Sequence, residues 1–367
     1  MIEPDLTLNP QNANTTVVVG MSGGVDSSVA ALLLKMQGYN VIGIFMKNWE
    51  EEIDGECSAK KDYDDVVKVC RQLEIPYYAV EFIQEYQQEV FSHFLAEYQA
   101  GHTPNPDILC NREIKFKVFL AQALKMGADY LATGHYCQTK MVDGVQSLLK
   151  GVDGNKDQSY FLYTIKDHIL KQVLFPLGGL VKPQIRQLAT DFNLATSKKK
   201  DSTGICFIGE RDFREFLSGY IPSKPGNFES LDGQVVGRHH GAVYYTIGQR
   251  KGLGLGGEGE PWFVTSKDME QNIVYVVRGA DHPSLLYNSL EATELSWVDE
   301  SFSPKLPFSC SCKVRYRQLD QECIIERVEG DRLWVTFPTP QRALALRQSI
   351  VFYQGDHCLG GAMVAKT

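Results

Sequence analysis

The run Val17-Val18-Val19-Gly20-Met21-Ser22-Gly23-Gly24-Val25-Asp26-Ser27-Ser28 constrains this chain more than any other stretch. Its β-branched apolar start predicts a buried strand, and Val29 to Met36 predicts a helix that stops before Gly38. A strand that turns through Gly and Ser directly into a helix builds an anion site. Glycines let the backbone approach a phosphate, and the unpaired N–H groups and helix dipole favour its charge. The serine hydroxyls add donors, and Asp26 is a candidate ligand for Mg²⁺.

The loop is not the ordinary mononucleotide loop, because no Lys follows the glycines as GxxxxGK[ST] requires, and it is not the dinucleotide fingerprint GxGxxG. The string Ser22-Gly23-Gly24-Val25-Asp26-Ser27 resembles the pyrophosphate loop (PP-loop) of the ATP pyrophosphatases, which split ATP into AMP and pyrophosphate.

Downstream, Val41–Met46, Pro76–Val80 and Tyr130–Thr133 read as further buried strands, with a helix over Tyr63–Leu73 between two of them. This alternation predicts a doubly wound parallel α/β sheet, whose ligands bind beyond the carboxyl ends of the strands. Composition changes after about Asp212, where short strands and glycine turns begin. We therefore expect a disordered tail over 1–14, an α/β catalytic domain over 15–212, a small β-rich central domain over 213–284 and a C-terminal antiparallel β-barrel over 285–367. The central segment is too poor in large apolar residues to stand wholly alone, and Val243–Lys251 reads as β-rich with a basic end.

Among 367 residues no apolar run is long enough to span a membrane, and the first 14 carry no basic start of a secretory signal. Nine cysteines at irregular spacing, with no CxxC, suggest a reducing compartment, hence the cytoplasm. Cys310 and Cys312 point to one face of a strand and read as small packed residues rather than a metal site. A net charge of −8 excludes a generally basic coat, so any RNA partner needs local basic patches.

Several positions carry candidate chemistry. In Thr103–Phe116 two prolines lead to Cys110, at or near a helix N-terminus, where the dipole and nearby Arg112 and Lys115 favour a thiolate. Asp107, one turn upstream, is placed to exchange protons. Gly134 permits close backbone approach, and His135 sits on the rim of the sheet. Lys198-Lys199-Lys200 forms a phosphate-attracting patch beside a second cysteine, Cys206. Arg315, Tyr316 and Arg317 mix aromatic and cationic groups suited to RNA.

Together, Ser22–Ser28, Phe45–Trp49, Thr103–Phe116, Ala132–Tyr136, Lys156–Tyr160, Asp201–Gly209, Tyr245–Arg250, Lys313–Arg317 and Gln348–Tyr353 resemble the tRNA-specific 2-thiouridylases (the MnmA/TrmU family), over nearly the whole chain. The resemblance implies ATP-dependent thiolation of the wobble uridine at position 2 of the base. It implies ATP with Mg²⁺ on Gly20, Met21, Ser22, Gly23, Gly24, Val25, Asp26 and Ser27, with Met46 and Gly134. It assigns a persulfide to Cys206, received from a sulfur-relay protein; Cys110 then releases the sulfur and ends in a disulfide with Cys206, with Asp107 as acid/base. Asn105, Pro106 and Asp107 would meet the target base, and His135, Lys156, Asp157, Gln158, Tyr316, Arg317 and Gln348 would contact tRNA. The chain is expected to act as a monomer. One departure is Arg347, which stands where the family has the Gly of a Pro-Gly-Gln turn. Two other readings remain open from the residues alone: a PP-loop ligase or amidotransferase acting on a small molecule, and an RNA-binding module with a vestigial ATP fold.

Overall fold

The computed structural model describes residues 6–50, 52–53, 56–201 and 212–367, without the side chains of 52–58; Cys206 lies outside the described residues. Strand β1 (Thr16–Met21) is the centre of a five-stranded parallel sheet. On one side lie β2 (Asn40–Lys47) and Tyr77–Glu81; on the other lie Tyr130–Ala132 and Val173–Leu174. Val17, Val18 and Val19 are fully buried, as a strand covered by helices on both faces requires. Strand order reverses at β1, so the Ser22–Ser27 loop opens at the switch point of the sheet. Helix α1 (Val25–Met36) follows directly, and α2 (Ser58–Gln72) starts several residues before the predicted helix and stops one residue short of Leu73.

Residues 6–14 are not the frayed tail that their polar composition suggested. Leu6 packs beside the α1 core, and the Asn9 N–H and Asn12 Nδ2 both donate to the Gln37 carbonyl, at 3.2 and 2.9 Å. The segment caps the carboxyl end of α1.

The central segment forms a four-stranded sheet from Gly226–Glu229, Val235–His239, Trp262–Asp268 and Ile273–Arg278. Its core residues Phe228, Val264 and Val274 belong to the same apolar cluster as Phe94, Ile114 and Phe119 of the α/β part, which is how so small a unit is stabilised. The β-rich reading of Val243–Lys251 is corrected. Ala242–Tyr244 is a single 3₁₀ turn, and with Gly248 at φ +83° the extended pairing is limited to two backbone bonds with Val264, one from the Gly248 N–H and one to the Gln249 carbonyl.

Leu286–Trp297, Phe308–Lys313, Gln321–Glu329, Arg332–Arg342, Ser349–Gln354 and His357–Lys366 close into a six-stranded antiparallel barrel. Closure comes from Leu286–Trp297 pairing with both Arg332–Arg342 and His357–Lys366. A hairpin from the α/β part (Cys137–Val142 and Val145–Lys150) adds to this sheet through His357 and Cys358, so one sheet joins the α/β part to the barrel. No helix among the described residues is long and apolar enough to cross a membrane.

Candidate nucleotide and RNA site

The anion loop has the geometry its composition demands. Gly23 sits at φ +74°, and a Cβ there would stand 2.5 Å from the Asp62 carbonyl oxygen. Gly24 is the N-cap of α1. The Ser27 hydroxyl accepts from the Ser22 N–H at 3.1 Å, while the Ser27 and Ser28 hydroxyls donate back to the Gly24 carbonyl. The first turn of α1 is thus folded on itself by serines. Gly134 closes against it: a Cβ at this position would lie 2.9 Å from Ser27 N and 3.0 Å from the Asp26 carbonyl carbon. Under Gly20 lies Phe119, 3.1 Å from where a Cβ would be. Met46 is near the carboxyl end of β2, one residue beyond the Met21–Phe45 pair.

Asp26 does not present a bare carboxylate. Its Oδ1 accepts from Tyr136 Oη–H at 2.6 Å and from Lys182 Nζ at 2.7 Å. Burial and the Asp26 carboxylate both raise the Tyr136 pKa, keeping the phenol a donor. Lys182 also reaches Asp201 Oδ1 at 2.8 Å, and Asp201 is gripped in addition by Lys156 at 2.7 Å and by Arg186. Burial opposes ionisation of Asp201, but hydrogen bonds from Lys156 and Lys182 prevail and lower its pKa. The lysine run is less available than its composition implied, because Lys199 is held between Asp62 and Asp65, both at 2.7 Å.

The chain from Asn105 to Lys125 is one helical rod. The Asn105 side chain caps it by accepting from the Asp107 N–H at 3.2 Å, and buried Pro106 takes the first helical position. From Cys110 to Phe119 the coil widens to i→i+5 bonding, a form that recurs at functional sites. Cys110 is the fifth helical residue and is 1% exposed, deeper than a first-turn thiol would be. Arg112 is turned to Glu113 at 2.7 Å, and Lys115 to Asn111 Oδ1 at 2.9 Å, so neither is a bare cation beside the sulfur. Asp107 is half-buried in the first turn.

Two residues expected to contact RNA are buried. His135 is buried between Phe116 and Phe175, at ring distances of 5.8 and 6.1 Å, with its Nδ1 2.7 Å from the Thr133 hydroxyl. Burial first, and then Lys115, drives its pKa well down, so it is a neutral wall residue rather than a solvated contact. Asp157 is 4% exposed and is consumed by internal partners: Gly151 N–H, Ser159 N–H, the Ser159 hydroxyl and Lys313 Nζ.

The other candidates form a connected surface. Gln158 Oε1 accepts from the Tyr136 N–H at 3.0 Å, joining the Lys156–Gln158 loop to the Gly134–Tyr136 turn. Tyr316 of the barrel donates to the Lys156 carbonyl at 3.3 Å and packs on Phe161 at 4.3 Å, while exposed Arg317 lies over its ring at 6.0 Å. Gln348 donates through Nε2 to the Thr103 carbonyl, fastening the barrel to the approach of the Asn105 helix. Arg347 adopts φ +66°, the conformation a Gly would favour, and is held there by Glu97 and Glu294. Sequence reasoning missed Tyr136, Lys182, Arg186 and Asn111, whose side chain donates to the Phe161 carbonyl at 3.1 Å. Lys182 meets Asp26 across 156 positions of chain, so no local pattern could reveal it.

A parallel sheet opening at its switch point on a Gly-Gly loop, flanked by a barrel with a basic and aromatic edge, defines a PP-loop α/β protein with two appended β units. Residues 15–210 match the tRNA methyl transferase HUP domain, 214–278 its PRC-barrel domain and 287–364 the aminomethyltransferase beta-barrel domain. The tRNA-specific 2-thiouridylase MnmA of Protochlamydia amoebophila is 62% identical over 351 residues, covering 95% of this chain and 93% of that one. Its counterpart of the same name in Alkaliphilus oremlandii is 57% identical, covering 96% and 97%. The chain belongs to the family of tRNA-specific 2-thiouridylases.

Proposed function

We propose that this protein thiolates the wobble uridine of tRNA at position 2, by adenylating the base with ATP and then transferring sulfur from a cysteine persulfide. The observation that carries the reading is the unbroken run of contacts from the phosphate loop, through Tyr136 and Gln158, to Lys156 under Tyr316. These contacts tie the nucleotide loop to the barrel, a connection that neither a small-molecule ligase nor a vestigial module needs.

In this reading the ATP phosphates lie on the α1 N-terminus, with Met46 and Gly134 beside the nucleotide. The uracil O2 attacks the α-phosphorus and pyrophosphate leaves. Adenylation turns a poor leaving group into AMP, so a soft sulfur nucleophile displaces it from C2. The terminal sulfur of a Cys206 persulfide forms the C2–S bond. The Cys110 thiolate then attacks Cys206 Sγ, breaking the S–S bond, leaving C2=S on the base and a Cys110–Cys206 disulfide that an external thiol reduces. Asn105 and Pro106 border the base, Asp107 moves the proton, and Lys156, Gln158, Tyr316, Arg317 and Gln348 line the RNA face. His135 and Asp157 support that face from within. Mg²⁺ would accompany the ATP phosphates; Asp26, already engaged by Lys182 and Tyr136, does not offer it a dedicated site, and no step is assigned to it. In this reading the reaction runs in the cytoplasm, where thiols stay reduced, with one chain acting on one tRNA and a separate relay protein loading the sulfur.

The test is Cys206→Ser with a persulfide donor, ATP and tRNA. Loss of thiolation with tRNA affinity within about twofold supports the reading; retained thiolation overturns the assigned nucleophile.

A further inference from the structure

The loop Ser22–Ser27 has no lysine of its own, so a polyphosphate bound there needs a cation from elsewhere in the chain. Lys182, the first residue of the helix Lys182–Asp191, brings its ammonium to 2.7 Å from Asp26 Oδ1, on the first turn of α1. That turn is the one whose N–H groups face the anion site. The Lys182 side chain is only 12% exposed, and its backbone N–H is fixed to Asp153 Oδ2 at 2.8 Å, so the stem is anchored while the ammonium points to the loop.

The surroundings leave this lysine able to change partners. If its ammonium swings to a phosphate, Asp26 keeps the Tyr136 hydroxyl and Asp201 keeps Lys156 and Arg186. Neither carboxylate is stranded. Lys199 is also held by two carboxylates, but of these only Asp65 has a second cation, Lys68, among the described residues, so moving Lys199 would strand Asp62.

We propose that Lys182 is the phosphate-binding cation of the nucleotide site, engaging the β- and γ-phosphates of ATP and neutralising the departing pyrophosphate. The inference rests on the ATP-dependent reading above. In the adenylation step the bond between the α-phosphorus and its bridging oxygen breaks, and the electron pair goes to pyrophosphate. Lys182 acts by charge and transfers no proton.

The experiment measures calorimetric binding of AMP, pyrophosphate and ATP to the full-length chain and to Lys182→Met and Lys182→Arg. A charge-assisted hydrogen bond corresponds to a loss of about 10- to 100-fold in affinity. Lys182→Met is expected to weaken pyrophosphate and ATP by that factor while AMP stays within about twofold, and Lys182→Arg is expected to recover most of the loss. Unchanged pyrophosphate and ATP affinities overturn the proposal, as does an equal loss for AMP, which marks a purely structural ion pair. If the unaltered chain binds neither ATP nor pyrophosphate, the ATP reading itself fails and takes the proposal with it.

Discussion

Asp157→Ala separates a buried clamp from an RNA contact, the two roles that sequence and structure give this residue. The carboxylate accepts from Gly151 N–H, Ser159 N–H and the Ser159 hydroxyl, each at 3.1 Å, and from Lys313 Nζ at 3.3 Å. Lys313 projects from a barrel strand and its side chain is 9% exposed; its other acidic neighbour, Asp320, is at 3.9 Å. Removing the carboxylate leaves two backbone donors without their acceptor and a buried ammonium with one distant partner. Breaking a buried pair on one side costs about 3–5 kcal/mol. The orphaned N–H groups add about 1–3 kcal/mol each, less whatever water recovers in the space left behind. A net loss of at least about 3 kcal/mol is expected, read as a lower urea midpoint for the transition that releases the barrel. Asp157→Asn combined with Lys313→Met is expected to regain part of it, because the pair is then neutral, leaving no buried charge, and the amide oxygen can still accept from the backbone N–H groups. An unchanged midpoint for Asp157→Ala, together with a tenfold loss of tRNA affinity, would refute the clamp.

Three further outcomes follow from the same geometry. Gly134→Ala drives a methyl against backbone of the first turn of α1, which cannot move aside as a side chain could; a destabilisation of about 1–3 kcal/mol and a raised KM for ATP are expected, checked by thermal unfolding and AMP release. Burial lowers the His239 pKa to about 4, against backbone hydrogen bonds that raise it, and the ring packs on Phe228 and Tyr245 with Nδ1 accepting from Gly241 N–H. The unfolded chain binds this proton first, near pH 6.5, so the stability is full above that value and is lost as pH falls toward 4. About 3 kcal/mol is at stake, and His239→Gln is expected to flatten that part of the pH profile. Gly23→Ala, strained by its positive φ and by the Asp62 carbonyl, is expected to lose nucleotide binding with little change in tRNA affinity, measured by filter binding.

The sheet, its glycine loop and the barrel were legible because each depends on short-range pattern: β-branched runs, Gly-Gly at a strand end, alternation in Cys323–Val328 and Arg332–Phe337. What was not legible depends on distance in sequence or on depth. Val243–Lys251 has strand composition, yet Gly248 and the contact with Val264 decide its shape. His135 and Asp157 are polar residues beside Gly and Lys, which reads as surface; only the packing of Phe116 and Phe175, and of Lys313 from the barrel, buries them. The polar tail was misread because its partner is the Gln37 carbonyl at the end of α1, a group every helix leaves open and no sequence pattern marks. Lys182 reads as an ordinary helix-start lysine until α1 is placed beside it.

The most direct test is nucleoside mass analysis of unmodified tRNA incubated with the protein, ATP, Mg²⁺ and a persulfide or sulfide donor. The account predicts exchange of one oxygen for sulfur at the wobble uridine, with one AMP and one pyrophosphate released per thiolated base and nothing released without tRNA. AMP formation that ignores tRNA, or tRNA binding with no AMP and no sulfur gained, would contradict it.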